Sequence, residues 1–507
     1  MPQAKTIVEL LGHDKVTEPA ISSPDRQALT YAGLRSQMSR TVEKLNELGI
    51  GRNDPVAIVL PNGPEMASAF VSIAAGATTA PLNPNYRENE FEFYLSDLNA
   101  KLLIVMEGDE TPARSAAKNI GLPIAELSSG GEETAGLFTI AGEKVGDKPQ
   151  LGGYAEAEDI ALVLHTSGTT SRPKIVPLSH VNICATAWNV QQSLALTSDD
   201  RCLNIMPLFH IHGLMAAVLG SLGAGASVCC SPGFNALKFF AWLKEVNPTW
   251  YTAVPTMHQA ILGRAPRNLE IINQSNLRFL RSSSASLPPQ VMSALEETFN
   301  APVVEAYGMT EAAHQMACNP LPPRARKPGT VGVAAGPEVS IMDFEKEHLP
   351  PGSIGEVVIR GSNVTPGYQN NPEANASEFI GGWFRTGDQG VMDEDGYLRL
   401  TGRLKEIINR GGEKISPREV DEVILDHPAV AQVVTFAMPH DKLGEEVAAA
   451  IILNEDIAAT ESEIREFARK KLADFKVPRK VLFLDEIPKG PTGKLQRIGL
   501  AKKLGLA

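Results

Sequence analysis

The chain has 507 residues, of which 43% are hydrophobic and 21% charged, and a formal net charge of −12. That length exceeds what one small core organises, so more than one domain is expected, and the composition excludes a disordered polyelectrolyte. The negative charge argues against nucleic acid or an anionic membrane surface as a partner, since either needs a positive field.

The N-terminal stretch MPQAKTIVELLGHDK lacks the basic-then-apolar order of a secretory signal. From about residue 55 to 330, apolar runs such as PVAIVL, KLLIVM, IALVLHT and TWYTAVP alternate with longer periodic segments, the pattern of an α/β fold. Within it, NGPEMASAFVSIAAGA predicts a helix: Pro64 suits the first turn, and Met66, Phe70, Ile73 and Ala74 fall on one face.

Further on, IALVLHTSGTTSRPK predicts a buried strand that breaks into a polar loop. Gly168 lets backbone N–H groups turn toward an anion, Thr166, Ser167, Thr169 and Thr170 offer hydroxyls, and Lys174 adds a point charge, so the loop suits phosphate. The Walker A spacing is absent, here and at GPTGKLQ. Residues 214–230, LMAAVLGSLGAGASVCC, fall short of a membrane span, which takes roughly 20 strongly apolar residues, and read as buried core. Cys184, Cys202, Cys229, Cys230 and Cys318 show no C-x-x-C spacing and are odd in number, so reduced, buried thiols are expected rather than a disulfide framework.

From about residue 330 to 402 glycine-punctuated short strands take over, among them GEVVIRG and the turn DEDGYLRL around Asp395-Gly396, which predicts a small β subdomain. Beyond it, Ser416-Pro417-Arg418-Glu419 and Thr460-x-x-Glu463 carry capping patterns for two helices, set among the strands AVAQVVTF, VAAAIIL and KVLFLDEI. This is a separate α/β domain of about a hundred residues, with its boundary near Lys405. The final GLA is not the S-K-L peroxisomal address, so a cytoplasmic location is expected, with the peroxisome left open.

HTSGTTSRPK (165–174), PLFHIHG (207–213), EAYGMTE (305–311), FRTGD (384–388), GRLKEIINRGGEKISP (402–417) and PKGPTGKLQR (488–497) follow one another in this order. Together they resemble the acyl-adenylate-forming superfamily of acyl-CoA synthetases, adenylation domains and luciferases. The resemblance runs almost end to end. It implies a large N-terminal AMP-binding domain, residues 1–404, of α/β subdomains plus a small β-barrel-like subdomain, and a small mobile C-terminal α/β domain, residues 405–507, hinged near Lys405. The implied chemistry has two halves: a carboxylate attacks the α-phosphate of ATP, and a thiol then attacks the acyl-adenylate. ATP, Mg2+ and coenzyme A are the implied cofactors.

The resemblance also assigns residues. Thr166, Ser167, Gly168, Thr169, Thr170 and Lys174 would embrace the β- and γ-phosphates, with Ser171 and Ile175 departing from the family's glycines. Glu305, Ala306 and Tyr307 would line the nucleotide site, Tyr307 against adenine, while Thr310 would contact the α-phosphate. Glu311, together with Thr169, would hold the metal. Asp388 would take the ribose, Arg403 would add a second ribose or phosphate contact, and Lys494 would meet the charge at phosphorus. Gly411 and Gly412 would permit close approach of the pantetheine arm, with Lys414, Lys476 and Arg479 near the CoA phosphates.

For the acid, RSSSASL and MTEAAHQM supply hydroxyls and an imidazole, and a helical reading puts His314 on the face of Thr310, four residues before it. Such groups suit a small acid with a second carboxylate, where long acyl chains or cinnamate rings want an apolar tunnel. PLFHIHGL, WYTAVPTMHQ, RSSSASL, EAYGMTEAAHQMACNPLP and NVTPGYQNNPEAN resemble the oxalate–CoA ligase group. That implies Ser282, Ser284 and His314 around oxalate and His210 at the junction with the CoA tunnel. His210 and His212 alone do not make a zinc site, there being no third ligand. Malonyl-, acetyl- and 4-coumaroyl-CoA synthetases are the alternatives. Delivery to a carrier protein is a further one, and no G-x-D-S attachment serine follows Lys494. Monomer and homodimer both stay open.

Overall fold

In the computed structural model, residues 4–129, 134–166, 173–454, 457–488 and 496–507 are described. The chain is mixed α/β and forms two compact units, one of residues 4–166, 174–339 and 359–382, the other of residues 340–358 and 383–507.

The first unit is built on two sheets. A nine-stranded one runs, edge to edge, Val333–Ala334, His314–Cys318, Val303–Met309, Phe279–Ser282, Trp250–Ala253, Arg201–Asn204, Ser227–Cys230, Pro19–Ser23 and Arg26–Thr30. Its inner strands are parallel and rich in fully buried side chains, as sheets covered on both faces require. The seven-stranded sheet ends in the antiparallel pair Ile160–Thr166 and Lys174–Ser179, in which Thr166 faces Lys174.

Helix Pro64–Ala74 forms where the sequence predicts it, with proline in its first turn. Its apolar face is not the only buried one: every residue of it is buried, because it packs against strands of both sheets. Residues 214–230 are buried core, spread over the π-helix His212–Leu219, a short turn of helix and the strand Ser227–Cys230. All five cysteines are free and buried. Burial pushes the Cys184 and Cys229 thiols up to about 12 and Cys318 to about 11.

In the second unit, strands Trp383–Met392 and Leu398–Arg403 form a hairpin whose Asp393 carboxylate accepts from the N–H groups of Asp395 and Tyr397. The following sheet orders Glu413–Ile415, Ile408–Arg410, Gly444–Leu453 and Val430–His440, with Lys480–Phe483 parallel to Gly444–Leu453. Helix Pro417–Leu425 starts at Ser416, and Glu461–Arg469 starts at a reciprocal Thr460/Glu463 capping box. No helix among the described residues is long and apolar enough to cross a membrane.

Candidate functional site

Strands Trp250–Ala253, Phe279–Ser282 and Val303–Met309 lie side by side and parallel, with Thr252 beside Arg281 and Ser282 beside Glu305. Ligands of open α/β sheets bind beyond the carboxyl ends of such strands. Here those ends are polar. Ser283 Oγ donates to the Ala306 carbonyl at 2.9 Å, and the Leu287 N–H donates to Glu305 Oε1 at 2.9 Å. The two bonds pin the intervening loop, in which Ser284 takes a φ of +72°. A non-glycine residue holds that conformation only where its surroundings over-determine it.

Half-buried Ser284 meets His212, the first residue of the π-helix: Nδ1 lies 3.0 Å from Ser284 Oγ, and Nε2 lies 2.6 Å from Thr252 Oγ1. His314 stacks on His212 with ring centroids 5.0 Å apart. Fully buried Arg281 donates to both rings, from Nη1 to His212 Nε2 at 3.2 Å and from Nη2 to His314 Nε2 at 3.0 Å. It also reaches Thr252 Oγ1 at 3.3 Å and Gln315 Oε1 at 3.4 Å. Ser282 Oγ is buried with no hydrogen-bond partner among the described residues. So Ser284 and His314, two of the residues expected around the acid, are joined by His212 and Arg281. Ser282 is their sequence neighbour, and His210 stands half-buried just before the π-helix.

One expectation is overturned. His314 does not follow Thr310 on a helix. Residues Thr310–Ala312 make a single 3-10 turn, Ala313 is left-handed, and His314 opens the antiparallel strand His314–Cys318 opposite Met309. Strand pairing overrides the helix-forming alanines, and His314 itself sits at a φ of +106°.

A second cluster joins the phosphate-loop lysine to the expected metal ligand. Lys174 Nζ bonds Glu378 and sits 4.3 Å over the Tyr368 ring. The Tyr368 hydroxyl lies 2.8 Å from Glu378 Oε2 and 3.0 Å from buried Glu311 Oε1. Burial, and then the two carboxylates, hold the phenol far above its ordinary pKa, so it stays a donor. Ile175, next to Lys174 in the strand, turns its side chain to the opposite face, into the buried hydrophobic cluster that includes Val163 and Phe91. Carboxylate and hydroxyl oxygens are a fitting donor set for magnesium, which binds through one or two protein carboxylates plus phosphate oxygens. Among the described residues no cluster of three or more His, Cys, Asp or Glu could cage an ion unaided.

Ser167, Gly168, Thr169, Thr170 and Lys494 lie outside the described residues. Thr166 ends its strand, Ala306 and Tyr307 are buried in Val303–Met309, and Thr310 is half-buried. In the second unit Asp388 pairs across the hairpin with Arg403, whose Nε lies 3.0 Å from Asp388 Oδ1. Lys405 is exposed in the turn Leu404–Glu406. Gly411 and Gly412, with φ of +59° and +102°, make the two-residue turn before exposed Lys414. Of the lysines and arginines expected near CoA phosphates, Lys476 is paired with Glu419 at 2.6 Å, and largely exposed Arg479 stands 3.9 Å from Glu446.

Sequence reasoning missed Arg281, Thr252, Tyr368 and Glu378, and gave His212 no role beyond excluding a zinc site. An arginine inside the apolar run LRFLRSSS was a signal available for the first of these.

The sequence pattern of AMP-binding enzymes matches residues 13–369, and that of the AMP-binding enzyme C-terminal domain matches residues 419–494. An oxalate–CoA ligase of Arabidopsis thaliana is 47% identical over 94% of this chain and 95% of its own length. One of Saccharomyces cerevisiae is 43% identical over 89% of this chain and 87% of its own. Among solved structures, ATP-bound MatB of Rhodopseudomonas palustris superimposes with a TM-score of 0.88 at 28% identity, covering 99% of each chain.

Proposed function

The chain belongs to the AMP-binding enzyme family and is an AMP-forming acid–CoA ligase that uses ATP and CoA, and we propose that the acid it activates is oxalate. The observation that carries this reading is the make-up of the cluster at the strand ends. Ser284, His212, His314 and Arg281 are linked by hydrogen bonds or stacking, with orphaned Ser282 Oγ alongside. Hydroxyls, imidazoles and a guanidinium suit a small acid with two carboxylates.

In the first half-reaction oxalate oxygen attacks the α-phosphate and pyrophosphate leaves. Thr310 holds an α-phosphate oxygen, the hydroxyls of Thr166, Ser167, Thr169 and Thr170 donate to the outer phosphates while Lys174 offsets their charge, and Lys494 meets the charge growing at phosphorus. Glu311, with Thr169, would hold magnesium, which would supply Lewis-acid stabilisation of the phosphate charge. Tyr307 lies against adenine, and Asp388 and Arg403 hold the ribose. In the second half-reaction the C-terminal domain turns about Lys405. Lys494 then withdraws, the Gly411-Gly412 turn admits the pantetheine arm, and its thiol attacks the acyl carbonyl past His210, so that the C–S bond forms as the bond to AMP breaks and AMP leaves, with Lys414 near the CoA phosphates.

A panel of oxalate, malonate, acetate and 4-coumarate with ATP, magnesium and CoA tests the reading, scored by thioester and AMP formation. Oxalyl-CoA is the expected main product. No thioester from oxalate, with one from another acid, removes the substrate assignment. Thioester formed only on a supplied holo-carrier protein points to carrier loading instead.

A further inference from the structure

Arg281 is among the largest fully buried side chains, yet among the described residues every group it donates to is neutral or a neutral-form acceptor: His212, Thr252, His314 and Gln315. Its Nε is buried with no partner among the described residues. The other ionisable groups around it are Cys202 and Cys318, both buried thiols, and His258, whose Nε2 lies 3.2 Å from the Arg281 carbonyl. Burial lowers the guanidinium to about 10, so it is still cationic at neutral pH. An uncompensated buried cation is costly, and a protein retains one where an anion completes it.

The hydrogen bonds also decide where protons sit. A guanidinium only donates. Nε2 of His212 and Nε2 of His314 must therefore carry lone pairs, which leaves each ring's proton on Nδ1. His212 Nδ1–H then donates to Ser284 Oγ at 3.0 Å. Ser284 accepts that bond and turns its own hydroxyl hydrogen elsewhere. His314 Nδ1 passes close to Gly308, where a β-carbon would stand 3.2 Å from it. The rings thus relay donors away from the buried cation.

We propose that Arg281 is the positioning residue that makes this site a receptor for a dianion: its charge offsets the acid's second carboxylate, and its fork fixes His212 and His314 as Nδ1–H donors. The proposal rests on the reading of the acid as oxalate.

The test compares the wild-type chain with Arg281→Met, Arg281→Gln and Arg281→Lys, using oxalate and the monoanion glyoxylate, with pyrophosphate release as the readout. Arg281→Met and Arg281→Gln raise KM for oxalate by roughly 10- to 100-fold, the worth of a charge-assisted hydrogen bond, with a smaller change in kcat. The preference for oxalate over glyoxylate falls in step, and Arg281→Lys recovers part of it. An unchanged preference in the folded Met and Gln variants overturns the proposal. Imidazole 15N shifts of the wild-type chain give an answer that needs no variant at residue 281, with Ser284 and Gln315 left in place. Nδ1–H neutral rings at His212 and His314 support it, and Nε2–H or doubly protonated rings overturn it. If oxalate is no substrate of the wild type, the functional reading falls by itself. The inference is then judged on the chain's preferred acid: a dicarboxylate whose KM rises in Arg281→Met supports it, and a monocarboxylate sinks it.

Discussion

Tyr368 has one hydroxyl proton and two carboxylates within 3.0 Å to take it. Only one can accept at a time, so the surplus negative charge is balanced by Lys174, bonded to Glu378 and stacked over the same ring. The lysine expected to greet phosphate is held by a carboxylate from 204 residues away. Tyr368→Phe keeps the ring and deletes the proton. Loss of a hydrogen bond to a charged group costs about 1.5–3 kcal/mol in its local environment. The expected outcome is a KM for MgATP raised several-fold with little change in KM for oxalate, read from initial rates of pyrophosphate release. Lys174 and Glu311 were legible in the sequence because HTSGTTSRPK and EAYGMTE resemble the motifs of a known family. Tyr368 and Glu378 were not, because nothing local marks a tyrosine that becomes a bridge only after the chain has folded back across Glu311.

The hairpin Val303–Met309/His314–Cys318 turns a run of helix-forming residues into a strand, and Gly308 is what permits it. A β-carbon there would lie 1.8 Å from the His314 carbonyl oxygen, a backbone atom that no rotamer change can move aside. Gly308→Ala is therefore expected to lower stability by about 3 kcal/mol or more, visible as a reduced denaturation midpoint. Activity surviving in the folded fraction should show a raised KM for oxalate, since His314 shifts with the hairpin. The strands IALVLHT and TWYTAVP and the capped helices after Ser416 and Thr460 could be read from period and punctuation alone. EAAHQMA could not, because its strand character comes from pairing with Tyr307 and Met309 and from the left-handed Ala313.

On the scale of the whole molecule, composition marks a change from α/β alternation to glycine-punctuated strands near residue 330. What composition does not carry is that residues 359–382, with Tyr368 and Glu378, pack with the first unit while their neighbours on both sides belong to the second. The reading of a tail domain that delivers Lys494 has its own test. Lys494→Ala should lower ATP–pyrophosphate exchange by roughly 100-fold or more, as the loss of a transition-state charge partner does. Equilibrium ATP binding should stay within a few-fold, and thioester formation from preformed oxalyl-adenylate should survive. Unimpaired exchange would sink the role assigned to that lysine.

The burial of all five cysteines has a chemical consequence for such a catalyst. An acyl-adenylate is a strong acylating agent, and the thioester that follows exchanges readily with any ionised sulfur nearby. With each of its own thiols shut inside and kept protonated, the chain offers its hot intermediate no thiolate to compete with the coenzyme. Self-acylation at cysteine is thereby closed off by packing alone.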